Sequence, residues 1–518
     1  MEIKESIVVL DFGAQYSQLI ARRVREAHVY SSIVPFDTPA DEIRALKPRG
    51  IIFSGGPASV SQPGSPRPDP EVFNLGVPIL GICYGLQVIA LMSGSDVSSS
   101  SKREYGLAEL QITAQSPLLE GMTAGNVWMS HGDAVKSLPE GFRVIGRTDS
   151  CPYCAIENPQ KHLYGVQFHP EVIHSVQGRR LIENFVLGIC GCEPGWTMAN
   201  FIDLSVARIR SQVGDRQVLC GLSGGVDSSV AAALIHRAVG DNLICVFVNN
   251  GLLRKNEAET VQQVFRDTFR MRFFYADAQD LFLKALQGIS EPEAKRKTIG
   301  RVFIDAFYDS ARTIERESGR KISFLAQGTL YPDVIESKSA HGGPSVTIKS
   351  HHNVGGLPSD LKWELLEPLR DLFKDEVRAL GRELGLPETL VDRHPFPGPG
   401  LGVRCIGAIT KERLDTLREI DAIFIEEIRR AGLYNKMFQA FADLLPVKSV
   451  GVQGDGRTYR EVCTLRAVTS EDAMTADWYH FAPEFLTRVS NRICNSVSGV
   501  NRVLYDITQK PPGTIEWE

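Results

Sequence analysis

The stretch LCGLSGGVDSSV, Leu219 to Val230, decides how this chain reads. An apolar run enters a Ser/Gly turn, and a helix-compatible run of Val, Ala and Leu leaves it. Free backbone N–H groups at such a turn, backed by the dipole of the following helix, make a cradle for phosphate. The stretch lacks a G-K-[ST] ending, so transfer of a terminal phosphoryl group is not the first expectation. Working outward, strands are expected at 217–221, 243–248, 273–276 and 324–328, with helices between them. That alternation is the pattern of a parallel, doubly wound sheet. A polar segment at 331–360 has weak periodicity, and a loop of that length inside a compact domain is usually functional.

The first third of the chain alternates in the same way. Residues 6–10 and 50–53 read as buried strands and 15–26 as a helix. Residues 77–82 read as a strand feeding a helix that begins near Tyr84. The serine-rich run Ser98 to Lys102 reads as a solvated loop. GICGCEPG, Gly188 to Gly195, is a breaker cluster and sets a first boundary. HPFPGPG, His394 to Gly400, cannot be helix or central strand and sets a second. Beyond it, an amphipathic helix at 411–431 and β-like runs at 459–468 and 502–507 suggest a small α+β domain. The expected fold class is therefore α/β. Two doubly wound, mostly parallel-sheet domains, 1–195 and 196–393, precede a C-terminal α+β domain, 394–518.

Bulk composition narrows the function classes. At 518 residues the chain exceeds a single core, and 43% apolar with 23% charged residues is ordinary for a globular protein. A net charge of -5 and a pI near 6.2 argue against a dedicated nucleic-acid binder, although small anions need only a few local cations. The start, MEIKESIVVL, has no signal-peptide pattern, and the apolar stretch Val77 to Gly94 is broken by Cys83, Tyr84, Gly85 and Gln87. No membrane association is expected, and the cytoplasm is the default location. The 10 cysteines show no disulfide-scaffold spacing. Cys151-x-x-Cys154 and Cys190-x-Cys192 are not completed to a zinc pattern by His162 or His174, and read as reduced cysteines in loops and packed edges.

Gly81-Ile82-Cys83-Tyr84-Gly85 sets a thiol between two glycines at a strand-to-helix turn, the geometry of a nucleophile elbow. In GVQFHPE, Gly165 to Glu171, a His and a Glu stand two apart after a short apolar strand, so on extended backbone they face the same way. His169 could take the thiol proton while Glu171 orients the imidazole. Either segment alone has a plainer reading, a buried structural cysteine or a turn. Together with IIFSGGP (Ile51 to Pro57) and SHGD (Ser130 to Asp133), they resemble the class I, triad-type glutamine amidotransferase family up to about Gly195. The resemblance implies a Cys83, His169, Glu171 triad that hydrolyses glutamine through a thioester. It also implies oxyanion donors from backbone amides near Gly55 and Tyr84, and a glutamine-binding role for Gln87.

SGGVDS, Ser223 to Ser228, resembles the pyrophosphatase loop of ATP-dependent adenylating enzymes with the adenine-nucleotide hydrolase-like fold. That resemblance implies ATP held by Ser223, Gly224, Gly225, Val226, Asp227, Ser228 and Ser229, with Asp227 as a Mg²⁺ ligand. The loop gives the reaction type but not the acceptor. VNNGLLR, Val248 to Arg254, resembles the adenosine-side segment of the GMP synthetase family, with Asn249 where that family usually has Asp.

Six longer stretches resemble the GMP synthetase family: PEAKRKTIGRVFI (Pro292 to Ile304), LAQGTLYPDVIES (Leu325 to Ser337), IKSHHNVGGLP (Ile348 to Pro358), HPFPGPGLGVR (His394 to Arg404), VGVQGDGRTY (Val450 to Tyr459) and KPPGTIEWE (Lys510 to Glu518). The resemblance implies that glutamine, XMP and ATP are the substrates. It implies a phosphate clamp of Arg502 and Lys510, with Glu516 beside the nucleotide. A lid within 331–360 would carry Asp333, Glu336, Lys338, Lys349, His351 and His352, and the C-terminal domain would support a homodimer. Two rivals remain at this level. One is an amidotransferase acting on another nucleotide, such as the CTP-forming type, which phosphorylates its acceptor. The other is a tRNA-binding thiolation factor, which should have a basic face and catalytic cysteines in its second domain, where this chain has only Cys220 and Cys245.

Overall fold

The computed structural model describes residues 5–14, 16–339, 363–453, 455–470 and 473–518, with side chains described except at 99–103, 336–339 and 453. The chain forms two compact units, Met1–Phe201 and Ile202–Glu518.

The first unit is built on a nine-stranded sheet. Its strands are β1 (Ser6–Asp11), β2 (Tyr30–Pro35), β3 (Gly50–Phe53), β4 (Ile79–Ile82), β5 (Val97–Ile112), β6 (Gly125–Val135), β7 (Arg143–Arg147), β8 (Ala155–Asn158) and β9 (Leu163–Val166). The order is β2-β1-β3-β4-β9-β8-β7-β5-β6, parallel from β2 to β9 and antiparallel from there on. The inner parallel strands are continuous apolar runs because helices cover both faces. Val8, Leu10, Ile51, Phe53 and Ile79 are all buried, in one core with Leu86 and Ile89 of the helix Tyr84–Met92. Each such side chain contributes roughly 1.5–3 kcal/mol of burial.

Ser98 to Lys102 is not a loop. It lies in β5, where Ser98 pairs with Ala134 and Ser99 with Asp133 of β6. Composition favours solvent there, but a backbone already paired to a neighbouring strand overrides weak side-chain preference.

The second unit holds two sheets. β10 (Gln217–Leu222), β11 (Leu243–Asn249), β12 (Arg272–Asp277), β13 (Ile322–Ala326) and β14 (Glu364–Leu366) form a parallel sheet in the order β12-β11-β10-β13-β14. From β10 the chain winds first to one side and then to the other, so the crevice beyond the end of β10 is a topological switch point. β15 (Gln439–Gln453), β16 (Gly456–Thr469), β17 (Asp477–Trp478) and β18 (Val500–Tyr505) make the second sheet; β16 pairs antiparallel with β15 and β17 and parallel with β18. One apolar core runs from Leu219 and Val246 through Leu401 and Phe424 to Leu465 and Val500, so the two sheets share their interior. Within the polar segment after β13, Tyr331–Ser339 is helical.

Candidate active site

At the end of β4 the chain turns sharply into the helix Tyr84–Met92, and Cys83 sits at the turn with φ 53° and ψ -103°. That backbone is strained for a residue with a Cβ and persists only where the surroundings hold it. They do so through close approach. A Cβ on Gly81 would lie 2.4 Å from the backbone of Gly85, and one on Gly85 would lie 2.4 Å from the Phe53 carbonyl oxygen. The glycines flanking the cysteine are therefore required by contact.

The turn aims Cys83 at a prepared set of partners. Its thiol donates to the Ser130 carbonyl at 3.7 Å, and Gln167 Nε2 donates to its sulfur at 3.7 Å. His169 Nδ1 is bonded to Glu171 Oε1 at 2.7 Å, leaving the other ring nitrogen for the thiol. Burial disfavours the charged imidazole, but hydrogen bonds to Cys83 and Glu171 and the charges on both hold its pKa up to about 11. Cys83 and His169 are 6% and 5% exposed and Glu171 is fully buried. The structure thus brings Cys83, His169 and Glu171 together. Gly55 lies against them, since a Cβ there would be 3.2 Å from His169 Cε1. Among the described residues, the Gly55 and Tyr84 amides donate to no other group, as donors awaiting an oxyanion should. Gln87 is buried, with Nε2 bonded to the Asp133 carbonyl at 3.1 Å and to Gln167 Oε1 at 3.4 Å. Ser130 and Gln167 lie within the motifs SHGD and GVQFHPE but were given no role from sequence. They come from β6 and from just past β9, and no local spacing ties them to the cysteine.

In the second unit, Ser223, Gly224 and Gly225 form the turn between β10 and the helix Val226–Val239, at the switch point of the sheet. Gly225 caps the helix with extended backbone and no side-chain cap, which leaves the first-turn N–H groups directed outward. Gly224 has φ 73°. Arg393 Nη1 donates to its carbonyl at 2.8 Å, and Arg393 pairs with Glu257 at 2.6 Å, both nearly buried. Ser228 Oγ accepts from the Ser223 amide at 3.2 Å, and Ser229 Oγ donates to the Gly225 carbonyl at 2.7 Å. Both Asp227 carboxylate oxygens accept from Lys374 Nζ at 2.6 Å. Asn249, at the end of β11, donates to the Tyr275 hydroxyl at 2.7 Å and accepts from the Gly251 amide at 3.1 Å. A carboxylate there could not make the first of these bonds as a donor. Lys374, Arg393 and Glu257 escaped sequence reading because they lie far along the chain from the loop they brace.

The other expected residues are placed as follows. Asp333 accepts from the Leu330 amide at 3.0 Å and so starts the helix Tyr331–Ser339, whose backbone includes Glu336 and Lys338. Lys349, His351 and His352 lie outside the described residues. Arg502 is exposed on β18 and donates to Ser449 Oγ at 2.7 Å. Lys510 Nζ donates to the Ala473 carbonyl at 2.7 Å. Glu516 pairs with the fully buried Arg404 at 2.9 Å and accepts from Gln439 Nε2 at 2.6 Å. Arg502 and Lys510 share no partner among the described residues. The tail is nonetheless tied down, because Lys295, also fully buried, donates to Glu518 at 2.6 Å and to the Cys405 carbonyl at 2.9 Å.

Comparison with known proteins divides the chain in the same order. Residues 8–189 match the class-I glutamine amidotransferase family, 198–301 the NAD synthase family and 426–517 the GMP synthase C-terminal domain family. A solved glutamine amidotransferase from Thermotoga maritima is 15% identical, with a TM-score of 0.29, and covers 37% of this chain and 99% of its own. The GMP synthase [glutamine-hydrolyzing] of Brucella melitensis is 55% identical over 99% of each chain. That of Brucella suis is 56% identical, again over 99% of each. With a relative 56% identical over 99% of the chain and three family models matched in order, the chain belongs to the family of glutamine-hydrolysing GMP synthases.

Proposed function

We propose that this enzyme makes GMP from XMP, using ammonia cut from glutamine and the energy of ATP cleavage to AMP and pyrophosphate. The observation that carries the reading is the buried Cys83–His169–Glu171 arrangement in a chain matched throughout to these synthases. In the first unit, Cys83 attacks the glutamine carboxamide, and the Gly55 and Tyr84 amides hold the oxyanion. His169, oriented by Glu171, passes a proton to the departing ammonia. Water then releases glutamate from the thioester. Gln87, fixed by Asp133 and Gln167, lines the glutamine side.

In the second unit, the amides of Ser223, Gly224, Gly225 and Val226 and the hydroxyls of Ser228 and Ser229 hold the pyrophosphate end of ATP. The C2 oxygen of XMP attacks the α-phosphorus and pyrophosphate leaves; ammonia then attacks C2 and AMP leaves. Asp227 suits Mg²⁺, which takes one or two carboxylates together with substrate phosphates, and its present partner Lys374 is exposed enough to move aside. Bound there, Mg²⁺ would neutralise charge on the phosphates. Lys510 and Arg502 bind the XMP phosphate, Glu516 lies by the nucleotide, and the segment with Asp333, Glu336, Lys338, Lys349, His351 and His352 closes over ATP. We further propose a division at 195 and 393, a cytoplasmic location and a homodimer through the C-terminal domain. No helix among the described residues is long and apolar enough to cross a membrane.

Incubation with ATP, glutamine and a panel of nucleotides, read by mass spectrometry, tests the reading. XMP alone should be aminated, with AMP and pyrophosphate formed. Formation of ADP and phosphate, or amination of another nucleotide, would overturn it.

A further inference from the structure

Behind the nucleophile, in the same unit, three metal-binding side chains meet that the glutaminase chemistry does not use, with a fourth close by. Glu104 comes from β5, His131 from β6, and Cys151 and Cys154 from the turn between β7 and β8. One ligand atom from each of Glu104, His131 and Cys151 lies within 4.8 Å of the other two. Cys154, fully buried three residues further on, sets a second thiol beside that of Cys151 and just outside this group of three. A zinc tetrahedron with bonds of about 2.0–2.3 Å sets its donors roughly 3.3–3.8 Å apart, so the three would draw in by about 1 Å and Cys154 would turn toward them as the fourth.

The hydrogen bonds around the cluster leave a place for a cation. His131 Nδ1 lies 2.9 Å from the Asp133 carbonyl, which can only accept, so Nδ1 carries the proton. In the neutral ring, Nε2 then directs a lone pair at Glu104 Oε2, 3.0 Å away, and two acceptors face each other. The other Glu104 oxygen is already satisfied by the hydroxyls of Thr148 and Ser150. A ring nitrogen fixed by a carbonyl and a carboxylate fixed by hydroxyls are the outer partners that orient metal ligands. A proton could fill the gap between Nε2 and Oε2, but it would leave the two thiols unused.

We propose that Glu104, His131, Cys151 and Cys154 bind a structural zinc ion. Mixed sulfur, nitrogen and carboxylate donors favour zinc over magnesium or calcium. The ion clips β5 and β6 to the β7–β8 turn, and both ends of the clip reach the nucleophile. Ser130, next to His131, accepts from the Cys83 thiol. The Cys154 carbonyl accepts from the Gln167 amide at 2.7 Å, and the Gln167 side chain donates to the Cys83 sulfur. Sequence spacing hid the site, because Cys151-x-x-Cys154 is completed by residues from two earlier strands.

The test is metal analysis of the full chain purified without chelator. The expected result is about one zinc per chain, falling below about 0.1 in the Cys151→Ser, Cys154→Ser double variant. Because that variant can misfold, Co²⁺ is also added to the metal-stripped unsubstituted protein. A thiolate-to-cobalt charge-transfer band, displaced by one equivalent of Zn²⁺, supports the site. Zinc-free protein that gives no such band overturns it, as does zinc content unchanged in a folded double variant.

Discussion

Around Cys83 the expected groups are already partnered with one another; in the second unit, Asp227 and Lys510 are each partnered elsewhere. In the first unit His169 and Glu171 hold each other, and the sulfur is fixed from two sides by Ser130 and Gln167. In the second, Lys374 occupies both oxygens of Asp227, and Lys510 is held by a backbone carbonyl. A site for a neutral amide can be finished in advance, since nothing in it needs a ligand's charge for balance. A site for two phosphorylated nucleotides gathers ionic groups that must be neutralised until the ligands arrive. Pairs such as Asp227–Lys374, with both side chains partly exposed, are worth only about 0–1 kcal/mol and give way at little cost.

The sharpest way to break this contrast is Cys83→Ala. Glutamine-driven GMP formation should fall by about ten-thousandfold or more, while synthesis from added ammonia stays within about twofold. Equal loss with both nitrogen sources would mean that Cys83 does not serve a separate glutaminase. Next is Asp227→Ala, which should slow pyrophosphate release from ATP and XMP by about a thousandfold, because a Mg²⁺ ion on the phosphates would lose the carboxylate proposed to hold it. Basal glutamine hydrolysis should persist. Unchanged pyrophosphate release would remove Asp227 from the ATP site.

A smaller effect is expected at the tail. Lys510→Ala should raise the KM for XMP roughly 10- to 100-fold, the worth of one charge-assisted hydrogen bond to a phosphate, and leave the KM for ATP unchanged. Xanthosine, which lacks the phosphate, should bind weakly and equally to both forms. An unchanged XMP requirement would make Lys510 only a strap for Ala473.

The smallest effect is in pH dependence, and it should have opposite signs in the two units. His169 favours its proton when folded, with a pKa of about 11 against about 6.5 unfolded. Its stabilisation is complete below pH 6.5 and fades as pH rises toward 11. His394 is pushed down to about 4, chiefly by burial and also by Arg254, Arg429 and Arg378, against a hydrogen bond to Tyr434. It stacks on Tyr434 with ring centroids 3.8 Å apart. Its neutral form supports the fold above pH 6.5, and that support is lost as pH falls toward 4. Calorimetry across pH should show an acid-side slope that His394→Gln flattens and a base-side slope that Glu171→Gln flattens.

Much of this was legible in sequence where structure is local. The elbow at Cys83 needs glycines within two residues, and the cradle at Ser223 needs a strand, a turn and a helix in succession; both leave a contiguous trace. His169 and Glu171 could be paired from their spacing of two, although the extended backbone expected there ends at Val166 and the pair sits in the bend and turn that follow. The antiparallel extension β5–β8 was less visible, since Ser98 to Lys102 owes its strand to pairing with β6 and not to its own composition. Ion pairs such as Arg393–Glu257 and Lys374–Asp227 join residues more than a hundred positions apart, and no periodicity encodes them.

The bonds of Lys295 also bear on how the molecule is made. Its two short contacts reach partners 110 and 223 residues further along the chain, whereas the contact between Gln167 and Cys83 spans 84. Domains fold as units while synthesis proceeds from the N-terminus, and distant contacts close last. The first unit can therefore become a working glutaminase while the second is still being translated. The second cannot seal its interior until residue 518 has left the ribosome, and until then a lysine destined for full burial stays in water.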